Sequence, residues 1–172
     1  VNHGVTEGDL PVALDAAAVG GAVTTESRAL PSDGGAGLAM TIEVDFDSDI
    51  TSCVLGNAAV TGGATVASQT VINGGTTLQI VLNGVADQVC YAIDLSAAIN
   101  NIQGDADCSV ATLNGDTNDD QLVSSLDRAQ LKAGSGLPAS ANPRVDVNSD
   151  GSVTSLDRAL GKAKSGNSVT CP

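Results

Sequence analysis

A chain of 172 residues can close one domain of ordinary size and a smaller second one, and with Phe46 and Tyr91 as its only aromatic rings its core must be built from Val, Ile, Leu and Ala. The net charge of −13 is unevenly spread: residues 1–110 hold thirteen acids and one base, residues 111–172 seven acids and six bases. So acidic a front half mismatches nucleic acid, whose affinity comes from Lys and Arg on phosphates, and anionic lipid alike, and no apolar run reaches the ~18–20 residues of a membrane span.

No charged segment followed by an apolar stretch opens the chain, which reads as already processed. Residues 1–20 form an N-terminal arm that stops at the Gly20-Gly21 break, with strand-like Leu10-Pro11-Val12-Ala13-Leu14 before the break and Ala22-Val23-Thr24-Thr25 after it. Leu38, Met40, Ile42, Val44 and Phe46 then alternate with polar residues, the period of a half-buried strand. Further strands are expected at 51–55, 58–61, 64–72, 76–83 and 88–95, with turns at Asn73-Gly74-Gly75 and Asn83-Gly84. So many short strands predict a β-sandwich, immunoglobulin-like or cohesin-like, over residues 21–104.

From residue 105 to 172 the pattern changes. Gly115–Gly136 aligns with Val145–Gly166 at an offset of thirty, with thirteen identities in twenty-two positions, so this unit is an internal duplication. In each copy a polar loop is followed by small apolar residues at helical spacing: Leu126, Ala129 and Ala133, then Leu156, Ala159, Leu160 and Ala163. Each repeat is therefore loop then helix, and the Gly-, Ser-, Ala- and Pro-rich stretch 134–143 can fold the second back on the first.

The loops carry the chemistry. An EF-hand-type calcium loop places oxygen ligands at positions 1, 3, 5, 7, 9 and 12, because a large hard cation takes six to eight oxygens. The first loop offers Asp116, Asn118, Asp120, the carbonyl of Leu122, Ser124 (through water) and Asp127; the second offers Asp146, Asn148, Asp150, Ser152, Thr154 and Asp157. Val123 and Val153 stand at position 8, where an apolar side chain can tie one loop to its twin. Gly151 supplies the sharp turn at position 6, whereas Gln121 stands there in the first loop and must accept an unfavourable backbone. Two calcium ions are expected. A third site is conceivable at Asp45, Asp47 and Asp49 or at Asp105 and Asp107, residues that elsewhere simply face water.

The paired Asp-x-Asn-x-Asp loops, each followed by Ser-Leu-Asp-Arg, resemble a dockerin domain over roughly residues 113–168. That resemblance implies loop–helix units without a preceding helix, calcium-dependent folding and docking on a β-sandwich cohesin domain. It places partner recognition at Ser125, Leu126, Arg128 and Lys132 and, in the second repeat, at Ser155, Leu156, Arg158 and Lys162. More loosely, the whole chain is similar to the sandwich-plus-dockerin modules of secreted bacterial multidomain proteins, which are accessory or assembly units.

Four cysteines at wide spacing, with His3 the sole imidazole, suit disulfides in an extracellular protein rather than zinc. A folded two-loop pair brings its ends together, so Cys108 and Cys171 would clasp it and Cys53 and Cys90 would staple the sandwich; the spacing leaves other pairings open. No nucleophile motif accompanies His3, and three Glu with two aromatic rings suit neither a glycosidase nor a carbohydrate platform, so no catalytic residue is expected. Two functions remain. One is a self-assembling extracellular subunit, joined head to tail to its own copies, with residues 1–20 lending a strand to a neighbour. The other is a docking module for a cohesin-like partner on a scaffold or cell surface.

Overall fold

A computed structural model of the protein describes residues 4–5, 8–9, 23–30, 34–35, 37–102 and 106–171. Most of the N-terminal arm, with His3, and Asp105 lie outside the described residues. Within the arm, β1 (Gly4–Val5) and β2 (Gly8–Asp9) pair antiparallel with each other.

The body is a β-sandwich. One sheet runs in the order β4 (Leu38–Asp45), β7 (Thr77–Val85), β6 (Thr65–Ile72), all antiparallel. The facing sheet runs β3 (Thr25–Glu26), β9 (Asp107–Thr112), β8 (Val89–Asp94), β5 (Ala59–Val60). Its one parallel pair is β3 with β9. The alternation in β4 and β7 sends Met40, Ile42, Leu78, Ile80 and Leu82 inward, where they meet Tyr91, Ile93 and Val110 from the other sheet. Tyr91 is the largest fully buried side chain, and its hydroxyl is satisfied by the backbone of Ala86 on both sides, accepting from the N–H at 2.7 Å and donating to the carbonyl at 3.2 Å. One ring thus supplies bulk that the remaining aliphatic side chains cannot.

Three local expectations change. Residues 51–55 form a turn held by Cys53 N–H to Ile50 carbonyl at 2.8 Å, with a single bridge from Val54 to Ile99, rather than a strand. Asn83-Gly84 does not reverse the chain; it lies inside β7, where Gly84 takes φ +73° and the pairing with β4 slips by a residue near Met40. The reversal comes later, at Ala86–Gln88, with Gln88 at φ +63°. Strand β9, beyond the sequence boundary at 104, has too few alternating apolar residues to announce itself and is paired along its whole length with β8.

The disulfide is Cys90–Cys171, so neither Cys108–Cys171 nor Cys53–Cys90 forms. The reason is which side of β8 and β9 each residue faces. Cys90 sits opposite Ala111 and packs in a small cluster with Leu113, Val123 and Val169, where the tail bearing Cys171 also arrives. Cys108, paired with Ile93, instead turns toward the sandwich core, as does Cys53.

Two α-helices follow among the described residues, α1 (Ser125–Gly134) and α2 (Ser155–Ala163), packed on each other across a connection that makes two 3-10 turns at 139–141 and 143–145. Of the apolar residues whose spacing marked the helices, Leu126, Ala129, Ala133, Leu156, Ala159 and Ala163 are exposed, while Leu160 is half-buried against the cluster of Leu131, Val145, Val147 and Val153. Inward stand Asp127 and Leu131 on α1, Asp157 and Gly161 on α2. The loop demands it, because position 12 must turn its carboxylate into the loop, which carries position 16 inward with it and position 11 outward. Leu131 fills the space left by Gly161, its counterpart thirty residues on; a Cβ at Gly161 would overlap the Leu131 side chain.

Candidate metal centre

The first polar loop follows β9 through a turn at Asn114-Gly115, the second follows the 3-10 turn at 143–145, and each ends in the first turn of a helix. Ser124 and Thr154 are the N-caps, and the third helical residues, Asp127 and Asp157, reach back to them in a capping box. The position-12 carboxylate therefore has two duties, closing the helix end and closing the loop.

In the first loop Asp116 is fully buried, its Oδ1 accepting from the Asp120 N–H at 3.2 Å and its Oδ2 from the Gln121 N–H at 3.0 Å. Asp127 Oδ1 accepts from the N–H groups of Thr117 at 2.8 Å and Asn118 at 3.2 Å, while Oδ2 accepts from the Ser124 N–H at 2.7 Å. Asn118 donates through Nδ2 to Asp120 Oδ2 at 2.8 Å, and Asp120 Oδ1 accepts from the Leu122 N–H at 3.0 Å. The second loop repeats the scheme. Asp146 accepts from Asp150 N–H at 3.1 Å and Gly151 N–H at 2.9 Å, Asp157 from Asn148 N–H at 3.1 Å and Thr154 N–H at 2.7 Å, and Asp150 from Asn148 Nδ2 at 2.7 Å and Ser152 N–H at 3.0 Å.

Two features of these loops call for a cation. Asp116, Asp127, Asp146 and Asp157 are all 0–1 % exposed, and among the described residues none of the four has an ion-pair partner. Buried, like-charged carboxylates are costly unless something positive lies between them. Burial, above all, holds the Asp116 carboxyl above its ordinary range, with the charge of Asp127 adding to it against the pull of hydrogen bonds from Thr25, Gln121 and Asp120. Asp146 is raised for the same reason, burial first, then the charges of Asp157 and Asp150. The second feature is Asn118 Oδ1, the position-3 oxygen, which is buried without a hydrogen-bond donor. A carboxamide oxygen left bare among carboxylates is what an oxygen-seeking ion requires. Among the described residues no three His, Cys, Asp or Glu side chains close into a compact metal cluster. The loops offer instead a mixed set of carboxylate, carboxamide, hydroxyl and backbone oxygens, which suits calcium.

Backbone strain marks the same places. Gln121 takes φ +66° where Gly151 takes φ +92°, so the first loop adopts the position-6 turn without glycine. Position 4 is also left-handed in both loops, Asp119 at φ +64° and Ser149 at φ +58°. Asp119 carries a role the sequence reading missed: its Oδ2 accepts from Arg144 Nη2 at 3.0 Å, tying the first loop to the start of the second. The only signal in sequence was an acid in place of Ser149.

Position 8 does not join the loops side by side. Val123 pairs with the tail after α2, donating to the Asn167 carbonyl at 2.9 Å and accepting from the Gly166 N–H at 2.8 Å. Val153 pairs with the residues after α1, accepting from the Gly136 N–H at 2.8 Å and donating to the Leu137 carbonyl at 3.2 Å. Each loop is thus closed by the segment that follows the other helix.

Two of the acids expected for a third site have partners of their own among the described residues. Asp45 Oδ1 accepts from the Thr77 hydroxyl at 2.7 Å, and Asp49 Oδ1 from the Thr51 N–H at 2.8 Å; the Thr51 side chain first, and then that N–H, hold the Asp49 carboxyl below its usual range. The residues expected to meet a partner are all on the surface: Ser125, Leu126, Arg128, Lys132, Ser155, Leu156, Arg158 and Lys162 are each exposed.

Two capped loop–helix units, each with two buried carboxylates in its loop and an exposed helix face, follow a β-sandwich. The family model of the dockerin type I domain matches residues 114–164, so a dockerin domain is present here, preceded by the sandwich. Dockerin domains are non-catalytic binding modules. No curated protein and no solved structure matches the chain.

Proposed function

We propose that this is an extracellular, calcium-binding docking module: two calcium ions order loops 116–127 and 146–157, and the helices they support bind a cohesin-like β-sandwich on a scaffold or cell surface. The observation that carries the reading is the outward stripe. Leu126 is 61 % and Leu156 53 % exposed, each following an exposed serine and followed by an exposed Arg and Lys. Large apolar side chains presented twice on bare helices, rimmed by cations, suit a partner surface that is apolar at its centre and acidic at its edge.

The experiment is calorimetric titration of the chain against purified cohesin domains in millimolar calcium. Binding that disappears on chelation, and disappears in S125D/L126D/S155D/L156D while that variant still takes up two calcium ions, is the expected result. Equal binding by the variant would remove the helix face from the reading.

A self-assembling subunit is the second reading, and charge favours it. Residues 111–172 sum to −1 from seven acids and six bases, so two divalent ions would bring them to +3, opposite in sign to the thirteen acids and one base of residues 1–110. The same helix face would then meet the sandwich of the next copy. Docking ranks first because strand donation rests on residues 1–20, whose described parts pair with each other. Calcium-dependent fibres of the pure protein in electron micrographs would reverse that order.

A further inference from the structure

Residues 23–30 lie between the sandwich and the loops, and Thr24 to Arg28 are all buried. On one side this strap is hydrogen-bonded to the β9 segment, the Ala111, Leu113 and Gly115 N–H groups donating to the carbonyls of Thr24 at 3.0 Å, Glu26 at 3.0 Å and Ser27 at 2.8 Å. On the other it touches both calcium loops. Ala29 N–H donates to the Val147 carbonyl at 2.7 Å, and Ser149 Oγ donates to the Ala29 carbonyl at 3.2 Å. At the first loop the contacts reach a ligand itself: the Thr25 hydroxyl lies 2.8 Å from Asp116 Oδ2 and 2.9 Å from Asp119 Oδ1.

A hydroxyl has one proton, and its destination can be argued. Asp119 Oδ1 already accepts the Thr25 N–H at 2.6 Å and Oδ2 the Arg144 guanidinium at 3.0 Å, so the proton serves Asp116. Asp146, the equivalent of Asp116 in the second loop, has a single donor on Oδ2, the Gly151 N–H. The extra donor therefore appears only in the loop that lacks glycine at position 6. The residue replacing that glycine is held by the same strap, Gln121 Nε2 donating to the Val23 carbonyl at 3.4 Å.

The geometry points to Thr25 as a positioning residue of the first calcium site, supplied from outside the dockerin-matched span, which fixes the Asp116 carboxylate and offsets the strained Gln121 turn. This rests on the calcium reading above and extends it to a residue of the sandwich-side strap. A hydrogen-bond partner behind a metal ligand is typically worth 10- to 100-fold in affinity, so removing the hydroxyl should weaken the first site about tenfold and leave the second unchanged.

The test is a calcium titration followed by nuclear magnetic resonance, with the Gln121 and Gly151 amides reporting the two loops separately. T25V should shift the Gln121 midpoint about tenfold with Gly151 moving less than about twofold, and T25S, which keeps the hydroxyl, should restore it. Unchanged midpoints in T25V, or equal weakening of both loops that T25S does not repair, would overturn the assignment. In the wild-type chain the Thr25 amide should shift in step with Gln121; a Thr25 amide that does not respond overturns it without any variant. A wild-type chain in which neither loop reporter responds to calcium refutes the calcium reading itself, a result distinct from these.

Discussion

Removing the Cys90–Cys171 bridge isolates what holds the C-terminal unit to the sandwich. The bond joins residues 81 apart, and for a loop of that length the chain-entropy model gives about 4 to 5 kcal/mol at room temperature. A protein of this size has an unfolding entropy near ~0.36 kcal/mol/K, so the loss corresponds to about 12 °C in melting temperature. Other restraints near the bond survive its removal, among them Lys164 Nζ to Asp87 at 2.9 Å and the strap of residues 23–30. The variant C90A/C171A should therefore fold in calcium and melt in one transition about 10 °C lower by differential scanning calorimetry. In excess chelator the same variant should show a separate, earlier transition, because neither bond nor ion then constrains the helices. A shift under about 3 °C in calcium would mean that the two parts are already so constrained in the unfolded ensemble that the bridge adds nothing.

Three further outcomes are expected. G161A should cost about 1 to 2 kcal/mol in urea unfolding, because its methyl overlaps Leu131, and the same change made in an L131A background should cost little or nothing; a neutral G161A would mean that the helices move apart freely. Glu26 and Arg28 are 1 % and 2 % exposed and joined at 2.9 Å, so R28M should lose about 3 to 5 kcal/mol by stranding the Glu26 carboxylate, while E26L/R28M should return close to wild type. The third concerns pH. Asp116 and Asp146 have folded-state values raised above 3.8, so in chelator the folded state binds more protons between that value and the raised ones, and stability falls as pH rises through the window. Asp49 and Asp94 are shifted the opposite way through hydrogen bonds from Thr51 and Ser96; Asp49 is exposed and Asp94 half-buried at a strand end, and both contribute little. In chelator these two groups should make the urea midpoint fall as pH rises from about 4 through their raised values, and calcium, which needs the carboxylates ionised, should reverse that trend; a chelated midpoint that rises across the window would count against buried, unpaired loop acids.

The loop–helix repeats were legible because polar residues recur at fixed intervals ahead of each helix, and duplication wrote the pattern twice. Strand β4 was legible because one of its faces meets the core. Strand β9 also turns one face, Cys108 and Val110, to the core, but two apolar residues alternating with Asp107 and Ser109 are too short a period to read, and in the strap Thr25, Glu26 and Arg28 are buried by polar contacts that leave no apolar period at all. The spacing of small residues showed that helices follow the loops but not which face turns inward, which the capping carboxylates at 127 and 157 set. The cysteines could not be paired by counting, because pairing depends on which side of β8 and β9 each one faces.

The crossed closure of the loops makes the two repeats interdependent. Leu122 bridges Ser168 and Gln121 accepts from the Val169 N–H at 3.2 Å, while Ser152 bridges Pro138 and Gly151 accepts from the Ala139 N–H at 3.1 Å. Damage therefore does not stay where it is made: trimming the chain after Ala163 leaves the second loop its own closing segment and strips the first of its edge. A nick at the C-terminus would be felt at the far end of the module, and neither repeat can be lost, or have arisen, as a finished unit by itself.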